Sequence, residues 1–230
     1  MKCFAIIPAG GSGKRFGGNI PKQFIEVSGR EIIAYTLEVF NNNDIIDEII
    51  IPVSAEFHKK MEEIVKREGF TKVTRIVDAG KERCDSVFNG FTAIRSEEND
   101  LIVIHDAARP LLTTQILNNA IASAKIHNAV TVAVPVKDSI LSGMEKVQKY
   151  VSRENLFHIQ TPQIFMAKYL ADAYEKGYEK DILPTDESIM VHNASYDVYI
   201  CNGSSQNFKI TTQEDLFIFE AILNHQKSLF

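Results

Sequence analysis

Cysteine is scarce in this chain of 230 residues: Cys3, Cys84 and Cys201 are odd in number, far apart and set in apolar or helical patterns. That excludes a disulfide framework and points to reduced thiols in a cytoplasmic protein, none of them placed as a catalytic nucleophile. Long apolar runs are absent too. Met1-Lys2-Cys3-Phe4-Ala5-Ile6-Ile7 is too short for the core of a secretory signal, and no later run approaches membrane-spanning length. Positive charge is in deficit, 25 Lys and Arg against 30 Asp and Glu for a net charge of -5, which argues against nonspecific nucleic-acid binding. An anionic ligand therefore needs a locally basic pocket. No Ser-His-Asp or Cys-His arrangement suggests covalent catalysis, and no second His or Cys stands at metal spacing from His105. Repeats, low-complexity tracts, a disordered tail and a linker long enough to divide domains are missing as well. With 45% apolar and 24% charged residues, the chain reads as one domain over residues 1–230.

What is present begins with a loop. The apolar run Ile6-Ile7 breaks into Pro8-Ala9-Gly10-Gly11-Ser12-Gly13-Lys14-Arg15-Phe16-Gly17, followed by Pro21-Lys22-Gln23-Phe24. Glycines let consecutive backbone N–H groups converge on a phosphate, and Lys14, Arg15 and Lys22 add full charges. The P-loop pattern fails, because Pro8 replaces its first Gly and Arg15 its hydroxyl residue; the dinucleotide fingerprint fails at Phe16. A plain Gly-rich surface turn with solvated basic residues is the alternative.

Apolar runs rich in β-branched residues recur at Cys3 to Pro8, Glu48 to Val53, Val73 to Val77, Leu101 to His105 and Val130 to Val134. They read as strands buried on both faces. Helical patterns fall between them, near Glu31 to Phe40, Glu56 to Arg67, Cys84 to Arg95 and Thr114 to Lys125. The alternation predicts an α/β fold with a mostly parallel sheet, whose ligands sit beyond the carboxyl ends of the strands. The pattern breaks after Pro135. Residues 137–158 carry many charges and little to bury, and read as an extended β-arm that packs on a second subunit. Thr161-Pro162-Gln163 returns the chain to the body, and a helix is expected from Ala167 to Lys176. Another is expected after a Thr185 N-cap, with strands at Tyr196 to Cys201 and Phe208 to Ile210. A last helix has Thr211 and Glu214 at capping-box spacing. The sequence stops soon after it, which leads us to expect no fused second enzyme.

Three strand ends carry chemistry. Asp106-Ala107-Ala108-Arg109 offers a carboxylate for a hard cation and a guanidinium for phosphate; the alternative is that Asp106 caps a turn and pairs with Arg109. Gly80-Lys81-Glu82-Arg83-Cys84-Asp85-Ser86 brings backbone and a hydroxyl to an equivalent place, or is an ordinary strand-to-helix turn. Lys209 sits between Phe208 and Ile210, where Lys is disfavoured unless its ammonium reaches an edge or a ligand. Arg153 reads as a solvated charge, Thr185 as a cap and His105 as a packed strand-end residue.

Taken in order, Pro8 to Arg15, Pro21 to Phe24, Asp85-Ser86-Val87, His105 to Pro110, Ala133 to Asp138, Arg153 to Gln163, Thr185-Asp186-Glu187 and Asn207 to Thr211 resemble the 2-C-methyl-D-erythritol 4-phosphate cytidylyltransferases over essentially the whole chain. The resemblance implies a Rossmann-like nucleotidyltransferase sheet with a dimerising β-arm. It implies that Pro8, Ala9, Gly10, Gly11, Ser12, Gly13, Lys14 and Arg15 hold the CTP triphosphate, and that Lys22 neutralises the α-phosphate and leaving pyrophosphate. Gly80, Lys81 and Ser86 would face the cytosine, and Asp106 the ribose and Mg2+. Arg109, Thr185 and Lys209 would meet the polyol phosphate, with Arg153 and Thr161 entering from a partner's arm. Arg15, Lys22, Arg153 and Lys209 are then the catalytic cations. Gly10 stands where many members have Ala, Phe16 where Met is frequent and Phe157 where Trp is usual.

The chemistry agrees with what is missing. A phosphate monoester, with a second pKa of about 6, is largely ionised at neutral pH and needs no strong general base. Two rivals remain. Ribitol-5-phosphate cytidylyltransferases share the fold but tend to carry Ser-Val where this chain has Ala107-Ala108, and a Cys after Thr-Asp-Ala where it has Glu187-Ser188. A catalytically silent nucleotide-sensing module would have no evident need for Arg15, Lys22, Asp106 and Lys209 around one pocket.

Overall fold

The computed structural model describes residues 1–11, 20–179 and 184–227. Among these residues the strands are β1 (Cys3–Ile6), β2 (Glu26–Val27), β3 (Arg30–Glu31), β4 (Glu48–Val53), β5 (Val73–Asp78), β6 (Leu101–Ile104), β7 (Ala129–Pro135), β8 (Ile140–Gly143), β9 (Val147–Val151), β10 (Phe157–Met166) and β11 (Tyr199–Asn202). The helices are α1 (Ile32–Asn41), α2 (His58–Glu68), α3 (Arg83–Thr92), α4 (Thr114–His127), α5 (Ala167–Glu179), α6 (Glu187–Asn193) and α7 (Gln213–Lys227).

Seven strands form the central sheet in the order β11-β7-β10-β6-β1-β4-β5. β10 runs antiparallel to both β6 and β7; the other pairings are parallel. Strands buried on both faces need helices on both faces, and the cores divide accordingly. Alternate residues Cys3 and Ala5 of β1 pack with α1, α2 and α4 on one side, while Phe4 and Ile6 pack with α3, α5 and α6 on the other. Because β1 lies between β4 and β6, the chain leaves β1 where the strand order reverses, the place where such sheets form a ligand crevice. A smaller cluster anchors α7: Phe219 and Leu223 pack on Val27, Ile32 and Ile210. Burying a side chain as large as Phe219 contributes roughly 1.5–3 kcal/mol, and here it also seats the segment that carries Lys209.

Several sequence expectations need correction. Phe208 to Ile210 is not a strand; the segment crosses the strand ends and is tied by the Ile210 N–H to the Ala108 carbonyl at 2.9 Å. Asp186, not Thr185, caps α6, accepting from the Ser188 N–H at 2.9 Å. At α7 the reaching acid is Asp215 rather than Glu214, and it accepts from the N–H groups of Thr211 and Thr212. The arm is shorter than residues 137–158. Its hairpin is β8 and β9, whereas Phe157 and His158 already pair with Pro135 and Val134 in the main sheet. The hairpin exposes Leu141, Met144, Val147 and Tyr150.

Candidate active site

The first wall of the cleft is the segment leaving β1. Ile7 and Ala9 extend the ladder beyond the strand by donating to the carbonyls of Ile50 and Pro52, which carries the paired chain up to Gly10. A Cβ on Gly10 would lie 2.3 Å from that of Ala79, which is why Ala is not accommodated here. The buried Gln23 amide donates to the carbonyls of Ala9 and Gly11 at 2.5 and 3.1 Å, fixing the backbone on either side of Gly10. Gln23 belongs to a one-turn helix that starts at Lys22, whose ammonium donates to the Ile210 carbonyl at 2.6 Å. Ser12, Gly13, Lys14 and Arg15 lie outside the described residues.

The opposite wall follows β5. Gly80 packs so closely on the first turn of α3 that a Cβ would sit 2.1 Å from that of Asp85. Its N–H donates to the Ser86 hydroxyl at 3.0 Å, which donates in turn to the Glu82 carbonyl. The strand-to-helix turn is therefore braced internally and still presents Gly80, Lys81 and Ser86 to the cleft.

Asp106, just beyond β6, is the electrostatic centre. Arg83 Nε is 2.9 Å from Oδ1, Lys209 Nζ is 3.0 Å from Oδ2 and Arg109 Nε is 3.3 Å from Oδ2. Burial opposes ionisation of Asp106, but these charges outweigh it and hold the carboxyl well below the usual range. The backbone here is fixed just as firmly. The Asp106 N–H donates to Thr161 Oγ1 at 3.1 Å, and the Thr161 hydroxyl lies 3.0 Å from His105 Nδ1. His105 Nε2 is 3.2 Å from the Arg109 carbonyl. A carbonyl only accepts, so Nε2 carries the proton, Nδ1 accepts from Thr161, and the imidazole is neutral.

Burial pushes the His105 pKa from 6.5 down to about 4. The unfolded chain thus binds a proton that the fold refuses, and this share of stability is complete above pH 6.5 and lost as pH falls toward 4. It amounts to about 3 kcal/mol. Asp106, with its lowered pKa, adds a further loss that begins at the acid end of this window and grows below it. Urea unfolding is expected to show His105→Asn losing much less stability than the natural chain between those limits; an equally steep loss would assign the effect elsewhere.

The cleft between these walls has a volume of about 950 Å³ and is lined by Pro8 to Gly11, Lys22, Gly80, Lys81, Ser86, Asp106, Thr185 and Lys209, among others. Other expected residues fall outside its lining. Arg109 lies behind Asp106, its Nη1 donating to the Asn207 carbonyl at 2.8 Å. Thr161 does not reach out on an arm: it is buried in β10 beneath Asp106. Arg153 is exposed at the base of the hairpin, where it donates to the Lys137 carbonyl, away from this chain's own cleft. Sequence reasoning missed Arg83 and Glu187. Arg83 bridges Asp106 and the fully buried Glu187, whose pKa burial raises despite the guanidinium. A basic residue in a strand-to-helix turn at the binding edge was the available signal.

Among the described residues no group of three or more His, Cys, Asp or Glu side chains could hold a metal ion. Among the described residues the cleft-lining carboxylates are Asp106 and Glu82. Carboxylate oxygens of this kind are the ligands that a divalent cation such as Mg2+ takes, commonly one or two of them with substrate phosphates, so the donor type present fits such a cation. No helix among the described residues is long and apolar enough to cross a membrane.

The family described as IspD, 2-C-methyl-D-erythritol 4-phosphate cytidylyltransferase, matches residues 3–225. A relative of that name from Alkaliphilus oremlandii (strain OhILAs) is 41% identical over 98% of this chain and 97% of its own. One from Clostridioides difficile (strain 630) is 41% identical over 96% and 94%. The solved 4-diphosphocytidyl-2C-methyl-D-erythritol synthase of Anaerococcus prevotii superposes with a TM-score of 0.85 at 28% identity, covering 97% of this chain and 96% of that one. With Pro8 to Gly11, Lys22, Ser86, Asp106, Thr185 and Lys209 of those motifs on one cleft and likeness running the length of the chain, the protein belongs to the 2-C-methyl-D-erythritol 4-phosphate cytidylyltransferase family.

Proposed function

We propose that this chain transfers the cytidylyl group of CTP to 2-C-methyl-D-erythritol 4-phosphate, releasing pyrophosphate, in isoprenoid biosynthesis. The observation that carries this reading is convergence: stretches as far apart as Pro8, Gly80, Asp106, Thr185 and Lys209 meet in one cleft. The ribitol 5-phosphate alternative has no comparable support, since the similar relatives carry the methylerythritol name. A silent nucleotide sensor would leave the Lys22, Asp106 and Lys209 charges without a task.

In the reaction the polyol phosphate attacks the CTP α-phosphorus in line, one P–O bond forming as the bond to pyrophosphate breaks. The attacking group is already an anion, so the protein's work is to bring two anions together and stabilise charge on the equatorial and leaving oxygens. The turn at Gly10 and Gly11, with Arg15 from the adjoining segment, binds the triphosphate. Lys22 meets the α-phosphate, Gly80, Lys81 and Ser86 the base, and Asp106 the ribose. Thr185 and Lys209 orient the polyol phosphate. Arg109 and Thr161 act from behind by fixing Asp106, a change from the direct contacts that the resemblance implied. A divalent cation such as Mg2+, bound by Asp106 and the triphosphate, would supply further neutralisation of phosphate charge.

The hairpin β8–β9 is a further part of the proposal. It leaves Leu141, Met144, Val147 and Tyr150 exposed, a apolar set that a second copy of the chain would cover while bringing its Arg153 to this cleft. The enzyme is then a homodimer, and its small anionic substrates are consistent with the cytoplasmic setting expected from the reduced cysteines. Pyrophosphate release from CTP in the presence of methylerythritol phosphate tests the activity; CTP binding without release would favour the silent sensor.

A further inference from the structure

We propose that Arg83, in the cleft wall, and the buried Glu187 behind it are a positioning pair that fixes the Asp106 carboxylate, leaving Lys209 able to exchange Asp106 for an anionic substrate. The inference rests on the reading above, in which Asp106 meets the ribose of CTP and would share a divalent cation with its triphosphate.

The geometry separates the cations around Asp106 into fixed and exchangeable. Arg83 Nε donates to Asp106 Oδ1 at 2.9 Å and Nη1 to Glu187 Oε2 at 2.5 Å. One planar guanidinium thereby sets the angle between two carboxylates, which an ammonium cannot do. Glu187 has no freedom to follow a moving partner. It is fully buried in the first turn of α6, and the preceding Asp186 is tied by Ser188 and by the Gln163 amide at 2.7 Å. Withdrawing Arg83 would strand a buried carboxylate without a cation, so this arginine is not free to turn toward a phosphate. Lys209 differs: its side chain is 36% exposed and reaches Asp106 by one ammonium contact at 3.0 Å. If Lys209 turns to an incoming anion, Arg83 keeps the Asp106 carboxylate charged and in place. Buried ion pairs are weak stabilisers compared with apolar packing, which fits a role in orientation.

A kinetic cycle tests the pair, using Glu187→Gln, Asp106→Asn and the double variant of the full chain, with single-turnover rates at excess enzyme so that slow variants remain readable. Glu187→Gln is expected to lower the rate of cytidylyl transfer by about ten- to a hundredfold, as outer partners of a functional group commonly do, with KM for CTP little changed. The double variant is expected to be no slower than Asp106→Asn alone, because Glu187 acts through Asp106. A merely structural Glu187 would lower thermal stability and slow the Asp106→Asn protein by its full factor again. That multiplicative result, or a natural rate in Glu187→Gln, overturns the proposal. If Glu187→Gln does not fold, Arg83→Lys, which keeps the charge and loses the fork, takes its place in the same cycle with the same two outcomes. A natural rate in Asp106→Asn would instead overturn the reading of Asp106 and the pair with it.

Discussion

Lys22→Ala is expected to lower kcat for cytidylyl transfer by roughly 10²- to 10³-fold, the loss typical of removing one group aimed at developing transition-state charge. The KM for methylerythritol phosphate is expected to stay within about twofold, since uniform binding is not what is lost. Lys22 stands at the Gly-rich turn, and its ammonium already bridges to the carbonyl of Ile210, next to Lys209. Its removal therefore has two separable consequences. If Lys22 serves the α-phosphate and pyrophosphate, the defect falls on kcat. If it chiefly tethers the segment carrying Lys209, the KM for the polyol phosphate rises as well. Steady-state kinetics with each substrate varied in turn distinguish them, and a change confined to KM would sink the catalytic assignment. Arg15→Ala is expected to follow Lys22→Ala in direction.

The second large effect is a rescue. Arg153→Ala and Lys209→Ala are each expected to be nearly inactive as pure dimers, the first through the neighbour's site and the second through its own. In a mixed dimer one cleft combines an intact Lys209 with the partner's intact Arg153, and the other has neither. Random re-pairing makes half the dimers mixed with one of two sites complete, so activity should recover to about a quarter of the natural level. The position of Arg153 motivates this: it is exposed beside the hairpin and absent from the lining of its own cleft. Subunit exchange verified by mass, with no recovery, would contradict a site shared through the arm.

The sheet was legible because its strands are buried on both faces. Glu48 to Val53 is a strand at those bounds, and the α4 stripe Ile116, Leu117, Ala120, Ile121 and Ala124 is wholly buried. β10 was not legible. Gln160, Thr161, Pro162 and Gln163 look like a polar connector, yet they are buried at the centre of the sheet, with Gln163 bonded to Asp186 and Thr161 holding Asp106. Burial of polar residues with partners supplied from distant segments leaves no periodic trace in sequence. The site follows the same division. The strand-end rule brought Gly80 and Asp106 to one edge, and the anomaly of Lys209 in an apolar stretch drew it in. The Arg83–Glu187 contact spans 104 residues, and either residue alone reads as part of a helix start.

The central claim is tested most directly by purified protein, Mg2+ and CTP, with pyrophosphate release followed after adding methylerythritol 4-phosphate or ribitol 5-phosphate in parallel. The account predicts release with methylerythritol phosphate and none above background with ribitol phosphate. Release with ribitol phosphate alone would keep the fold and mechanism and contradict the substrate; release with neither, while CTP still binds, would contradict the enzymatic reading of the cleft.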